Sequence, residues 1–413
     1  MTITASQIMK PIDDVTDLEA AVHPVLEICR VANGRAMLKG QGTRFEALVL
    51  PNFFGHHDDV PSFAALSFDA ARQVLIDTEN FSSDLYRETL ERAVGRGLFG
   101  MDPPEHSRYR ALLQMGFNPR IVAAWDAEII RPVIERTIVA VKHQGRADLA
   151  HEVTLLFPYE IICRILGFPT EDVQYVSDRI TKMTRATYDF DAAMKASAEM
   201  NVYVDKYIAE RRKIARDDFI SVLMVAEVDG VRLSDENLKA FIFHLFPAGM
   251  ETTFRGASNL THLLLSHPEQ LERLRTNPAL IGPSIEETLR FEGPASMFPR
   301  RAKHDTSVGG ISVPAGSMVY VMMAAANRDP SRWDRPHEFD ISRESKAHLG
   351  FGYGAHACIG LHLARKELQI YMEQVLEHLP GVRWDPATNG TPPPILGWTL
   401  RSALSLPVVW DAP

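Results

Sequence analysis

The sequence predicts a mainly α-helical protein with a minor β region, on three observations. After Cys358, Leu361, Ala364, Leu368, Met372, Val375 and Leu379 recur at three- and four-residue steps, the apolar stripe of a long amphipathic helix. Residues 238–266, LKAFIFHLFPAGMETTFRGASNLTHLLLS, are mostly apolar, as a helix through a protein's centre would be, and stop near His267-Pro268. VGGISVPAGSMVYVMMAAA alternates between turns at Gly309-Gly310 and Pro314-Ala315-Gly316, which predicts a small antiparallel sheet.

The 413 residues are 46% apolar and 23% charged, an ordinary globular balance with enough length for a sizeable core. A net charge of −9 argues against a nucleic-acid footprint. Cys29, Cys163 and Cys358 lie far apart, so local spacing provides neither a zinc or iron–sulfur cluster nor a disulfide framework. A reducing compartment, the cytoplasm, is the expected location. The opening MTITASQIMKPIDD has no signal-peptide pattern, and no run of 18 apolar residues provides a membrane anchor. With no repeat or low-complexity linker, residues 1–413 are expected to form one domain.

Taken in order, FEALVLPNFFG reads as short strands, and AALSFDAARQVLIDTENFSS as a helix beginning near Asp69. Residues 84–100 look irregular. The prolines before Glu105 suit a helix start, which sets His106 and Arg110 on one face at i and i+4. A histidine and an arginine aimed together make a carboxylate-binding fork. From 120 to 228 the pattern is helical, with breaks at Gly167-Phe168-Pro169 and Arg216-Asp217, and 171–215 should form a pair of helices. Ser234, three residues before Asn237, resembles an N-cap for the long apolar helix. That helix carries Ala248-Gly249-Met250-Glu251-Thr252-Thr253 at its middle. An acid there is costly unless it has work to do, whereas the bland reading of the threonines is back-bonding that bends a helix. Pro247 removes the bond to the Phe243 carbonyl and should exaggerate a kink. The tail, ILGWTLRSALSLPVVW, is strand-like.

Cys358 ends a loop containing Gly352, Gly354 and Gly360, residues suited to a tight backbone with positive φ. It falls at a helix N-terminus, where the dipole favours thiolate, the metal-binding form. In isolation a buried structural cysteine would be the better reading. The spacing Phe351-Gly352-x-Gly354-x-His356-x-Cys358-x-Gly360 overturns it. At roughly one in ten to twenty per position, six such matches do not arise by chance in this length.

That string resembles the haem-binding signature of the cytochrome P450 family, of the soluble bacterial type, and matches it without a substitution. The resemblance spans residues 102 to about 407. It implies the P450 fold, with haem b held between the long central helix and the helix after the cysteine loop, and Cys358 as the iron's thiolate ligand. A thiolate ligand pushes electron density toward O–O cleavage. His106, Arg110, Arg300 and His356 would anchor the haem propionates, with Arg301 the runner-up to Arg300; Phe351 and Gly360 complete the loop. Glu251 and Thr252 match the family's acid–alcohol pair for proton delivery, and Thr253 is a competitor for the alcohol's role. Glu287 and Arg290 match the E-x-x-R structural pair, whose third member could be Arg343 or Arg328. Residues 84–100 would cover the substrate pocket.

The implied activity is a monooxygenase that hydroxylates a small to medium apolar substrate with dioxygen. No dinucleotide fingerprint follows a strand, so electrons would come from a ferredoxin and its reductase, docking near Arg108, Arg365 and Lys366. Phe243, Phe246, Ala248, Met250, Met297, Phe298, Leu396 and Trp398 would make the pocket apolar. Two alternatives stand beside this reading. A peroxygenase would carry Arg-Pro in place of the acid–alcohol pair, and a non-catalytic haem protein would need no proton relay.

Overall fold

The computed structural model describes residues 35–41, 44–45, 48–49, 60–186, 189–397 and 399–412. Strands β1 (Met37–Gln41) and β2 (Pro61–Ala65) pair antiparallel and lead into α1 (Phe68–Ile76), where the Ser67 hydroxyl accepts the Ala70 N–H. The chain continues through β3 (Phe81–Ser82) to α2 (Glu105–Gln114) and α3 (Leu156–Leu166). Helices α4 (Val173–Thr184) and α5 (Phe190–Lys213) form the expected pair. The central helix α6 (Asp235–Ser266) is continuous through Pro247, and the Ser234 hydroxyl accepts the Asn237 N–H as its cap. It is followed by α7 (Ile281–Glu292), β4 (Phe298–Ala302), β5 (Met318–Val321) and α8 (Leu361–His378).

Helix α6 packs against α3, α7 and α8, and its apolar residues join the main core. A seven-stranded sheet lies to one side, with β5 between β2, parallel to it, and β4, antiparallel. The alternation of strand side chains splits its packing into two cores. Phe63, Ala65, Val319 and Val321 enter one, while Ala64, Met318 and Tyr320 enter the other.

Strand pairing corrects two sequence expectations. Gly309-Gly310 does turn a hairpin, between Thr306–Val308 and Ile311–Val313. The turn at residues 314–316 makes no second one, because β5 finds its partners in β2 and β4, far away in sequence. Nor is 120–228 wholly helical: Arg146–Asp148 pairs with Pro407–Val409 of the tail. The segment 84–100 holds two one-turn helices, Leu85–Glu88 and Glu91–Val94. Of FEALVLPNFFG, residues 46–47 and 50–55 lie outside the described residues, and short strands occupy Arg44–Phe45 and Leu48–Val49.

Candidate active site

Helices α6 and α8 meet where Thr253 hydrogen-bonds Glu367 and where Gly256, lacking a Cβ, lies against Leu368. Toward the N-terminal side of that contact both segments become less buried. On α6, residues 241–246 are all buried, yet Ala248 is exposed and Thr252 is half-buried. Opposite them, the loop of residues 351–360 leading into α8 is partly exposed along most of its length. The small-residue face of α6 and the cysteine loop, both N-terminal to the α6–α8 contact, are the candidate walls of a wedge-shaped site.

The loop is shaped by Gly352 and Gly354, at φ 68° and 69°. A Cβ on Gly354 would also stand 2.7 Å from the Leu75 carbonyl oxygen, so no other residue fits there. Gly360 differs from expectation, since its φ of −88° is open to any residue. Its backbone N–H bonds the Cys358 sulfur instead. The Cys358 N–H donates to the Phe351 carbonyl at 2.8 Å. Burial pushes the thiol's pKa up, outweighing the Gly360 N–H and the charges of Arg110 and Arg365. The helix N-terminus thus favours thiolate, as its position predicts, but burial reverses the sign of the thiol's net shift. Thiolate here needs a metal's charge to displace the proton.

At one edge of the wedge stand the residues expected to grip carboxylates. The rings of His106 and His356 lie 4.2 Å apart between centroids. His106 is buried, and among the described residues neither of its ring nitrogens has a hydrogen-bond partner. Burial, reinforced by Arg110 and Arg300, lowers the pKa of His106 to about 4 and that of His356 to about 2. Arg300 is buried, whereas Arg301, on the alternate strand position, turns away to pair with Glu88 and Asp84. The runner-up is thereby engaged elsewhere. Unpartnered imidazole nitrogens beside two guanidiniums fit the carboxylates of a haem, so the donor set accommodates the cofactor.

Beneath the loop, Glu287 and Arg290 are bidentate at 2.7 and 2.8 Å, and Arg343 supplies the third member at 3.1 Å. Arg328 belongs to a second buried cluster, with Glu292 and Arg401. Glu286 ties both ends of the cysteine loop together. It holds Arg365 bidentately at 2.7 and 2.8 Å and lies 3.2 Å from His348, and the Arg365 guanidinium rests over Phe351.

On the opposite wall, the Thr252 hydroxyl donates to the Ala248 carbonyl at 2.6 Å, the back-bond weighed above as the bland alternative. Its oxygen still presents lone pairs to the wedge. Thr253 is buried and committed to Glu367, so it does not share that position. Glu251 is half-buried beside Tyr159, whose hydroxyl pKa is raised by burial and further by the Glu251 charge. Of the expected pocket residues, Ala248, Phe298 and Leu396 retain exposed surface. Phe243, Met250 and Met297 are buried, and Phe246 stacks on Phe168 within the core. Trp398 lies outside the described residues. Of the expected docking cations, Arg108 is exposed, while Arg365 is tied to Glu286 and Lys366 to Asp126.

Sequence reasoning missed three residues. Glu367 is buried with its pKa raised to about 8. Glu91 is buried and accepts the N–H groups of Gly97 and Gly100. His244 is buried in α6 with its Nε2 unpartnered. Only His244 left a signal, as a polar residue in an apolar helix.

A cytochrome P450 family model matches residues 175–408. PikC, a cytochrome P450 monooxygenase of Streptomyces venezuelae, is 34% identical over 363 residues, covering 84% of each chain. The structure of myxobacterial CYP267B1 in complex with myristic acid matches with a TM-score of 0.81 at 31% identity, covering 94% of this chain and 96% of that one. CYP109E1 of Bacillus megaterium, in complex with testosterone, matches with a TM-score of 0.77 at 30% identity, covering 85% and 93%. The chain is a monooxygenase of the cytochrome P450 family. That family holds haem through a cysteine thiolate and uses dioxygen and redox partners. Among the described residues no helix is long and apolar enough to cross a membrane.

Proposed function

We propose that this P450 hydroxylates an apolar organic substrate, with Cys358 as the iron ligand and a ferredoxin-type protein as electron donor. The observation that supports this reading is the pairing of a cysteine loop ahead of α8 with the exposed Ala248 and half-buried Thr252 on its neighbour α6, beside a cluster of His106, Arg110, Arg300 and His356 suited to carboxylates. Haem bound there supplies dioxygen activation. His106, Arg110, Arg300 and His356 would hold its propionates. The Phe351 carbonyl orients the Cys358 backbone, and the Gly360 N–H donates to the sulfur.

On the other wall, Ala248 allows the helix to pass close to a flat group, whereas Gly249 lies against Ile162 of α3. The Thr252 oxygen, its own proton committed to the Ala248 carbonyl, accepts a hydrogen bond and so orders a proton donor beside the reacting atoms. Glu251, half-buried, carries protons inward from solvent. The apolar substrate is supported by the half-buried Phe298 and Leu396 and by the myristic acid and testosterone held by the two solved relatives. Cys358→His tests the assignment of the iron ligand. The variant should retain some haem but lose the red-shifted Soret band of the reduced carbon monoxide complex; if the band persists, Cys358 is not the ligand.

A further inference from the structure

His244 does nothing for the chemistry above, and its environment is unusual for a polar side chain in the centre of a helix. It is buried, and its Nδ1 lies 2.7 Å from the Ala240 carbonyl oxygen. A carbonyl only accepts, so Nδ1 carries the ring proton. Burial lowers the pKa of the ring to about 4, which leaves it neutral at ordinary pH. Nε2 is consequently a bare acceptor, and among the described residues no group donates to it. Leaving a buried acceptor unsatisfied costs stability, and native proteins rarely do so without a reason.

The ring is also clamped. Gly97 faces it so closely that a Cβ there would lie 2.3 Å from its Cε1. The Glu91 carboxylate fixes that loop by accepting the N–H groups of Gly97 and Gly100 at 2.9 and 3.1 Å. Phe99, half-buried, lies 5.4 Å from the His244 ring and 5.9 Å from Tyr86, which neighbours Arg300. Phe99 thus bridges from α6 to the carboxylate-binding edge of the wedge. Along α6, His244 precedes the exposed Ala248 by one turn and Thr252 by two, on the same side of the helix. At the helical rise these are axial separations of about 6 and 12 Å.

We infer that His244 is a specificity-determining residue, whose Nε2 accepts a hydrogen bond from a hydroxyl or N–H carried by the apolar substrate, about two helical turns from the oxidised carbon. This rests on the wedge being the substrate site. Phe99 is the side chain that a ligand must move aside to reach Nε2, while Gly97 and the Ala240 carbonyl keep the imidazole in place. The substrate class is then an apolar skeleton with a donor at its far end, and a ketone or ether at that position binds less well.

The test measures dissociation constants, by the Soret shift of the purified haem-loaded protein, for matched probes that differ in the donor. Phenol with anisole, dodecan-1-ol with 1-methoxydodecane, and testosterone with androstenedione span a range of sizes. In at least one pair the donor-bearing member should bind the wild-type protein about five- to tenfold more tightly. That preference should vanish in both His244→Leu and His244→Phe, the second of which retains a ring beside Phe99. A wild-type protein with no donor preference in any pair, or a preference that survives in both variants, overturns the inference. Both variants should keep the wild-type carbon monoxide band, whereas an error in the haem-thiolate reading would show in that band for the wild type itself.

Discussion

Glu287→Gln is the sharpest test of how the cysteine loop is held. Glu287 and Arg290 are almost fully buried, and the carboxylate accepts four hydrogen bonds. Arg290 supplies two, Arg343 Nε one at 3.1 Å, and the Asp340 N–H one at 2.9 Å. The amide keeps a single acceptor oxygen and turns its NH2 toward a guanidinium, so two arginine charges lose their counter-ion. Breaking a buried pair in this way costs roughly 3–5 kcal/mol, two to nearly four decades in the folding equilibrium. Against a typical total of about 5–15 kcal/mol, that is a large share of the stability. The damage should reach the haem site, because Arg290 also holds the carbonyls of Asn327, Pro336 and Glu338. The side-chain oxygen of Asn327 in turn accepts the Leu349 N–H at 2.7 Å, just ahead of the loop. Urea denaturation followed by far-UV circular dichroism, with the Soret-to-protein absorbance ratio, measures both effects. Arg343→Leu should couple to Glu287→Gln by more than about 1 kcal/mol in a double-mutant cycle, and Arg328→Leu should be additive within about 0.5 kcal/mol. A fully haem-loaded Glu287→Gln protein within about 1 kcal/mol of wild type would refute the reasoning.

Thr252→Ala should keep haem content and substrate binding near normal while product per reductant consumed falls steeply and hydrogen peroxide appears. Thr253→Ala, whose hydroxyl faces Glu367, should remain coupled, and the reverse result would exchange their roles. Glu367 gives a pH prediction. Its pKa rises from about 4.5 unfolded to about 8 folded, so the stability of its neutral form is fully present below pH 4.5 and lost as pH climbs to 8. The loss amounts to roughly 5 kcal/mol as an upper figure. Glu367→Gln escapes it, so its stability relative to wild type, from urea midpoints, should improve by several kcal/mol between pH 5 and pH 8; a pH-independent difference would show that Glu367 does not titrate in this range.

The sequence by itself determined the class of fold, the long central helix with its Ser234 cap, and the haem-binding string around Cys358. These were legible because they are local. Helical periodicity, an N-cap and a six-position spacing each lie within a few turns of one segment. It also named Glu287 and Arg290, three residues apart on α7, but left their third partner open. Only the tertiary structure decided what depends on residues distant in the chain. It chose Arg343 over Arg328 and turned Arg301 outward on β4, and it gave β5 its partners in β2 and β4 rather than in a hairpin. It sent Thr253 to Glu367 and left Thr252 in the wedge. It reversed the expected shift of the Cys358 thiol, because burial is set by everything packed around a group and outweighed the dipole that sequence position alone supplies. His244 shows the same division. Its polarity was written in an apolar helix, but its missing partner and its clamp against Gly97 exist only after residues 97 and 244 are brought together.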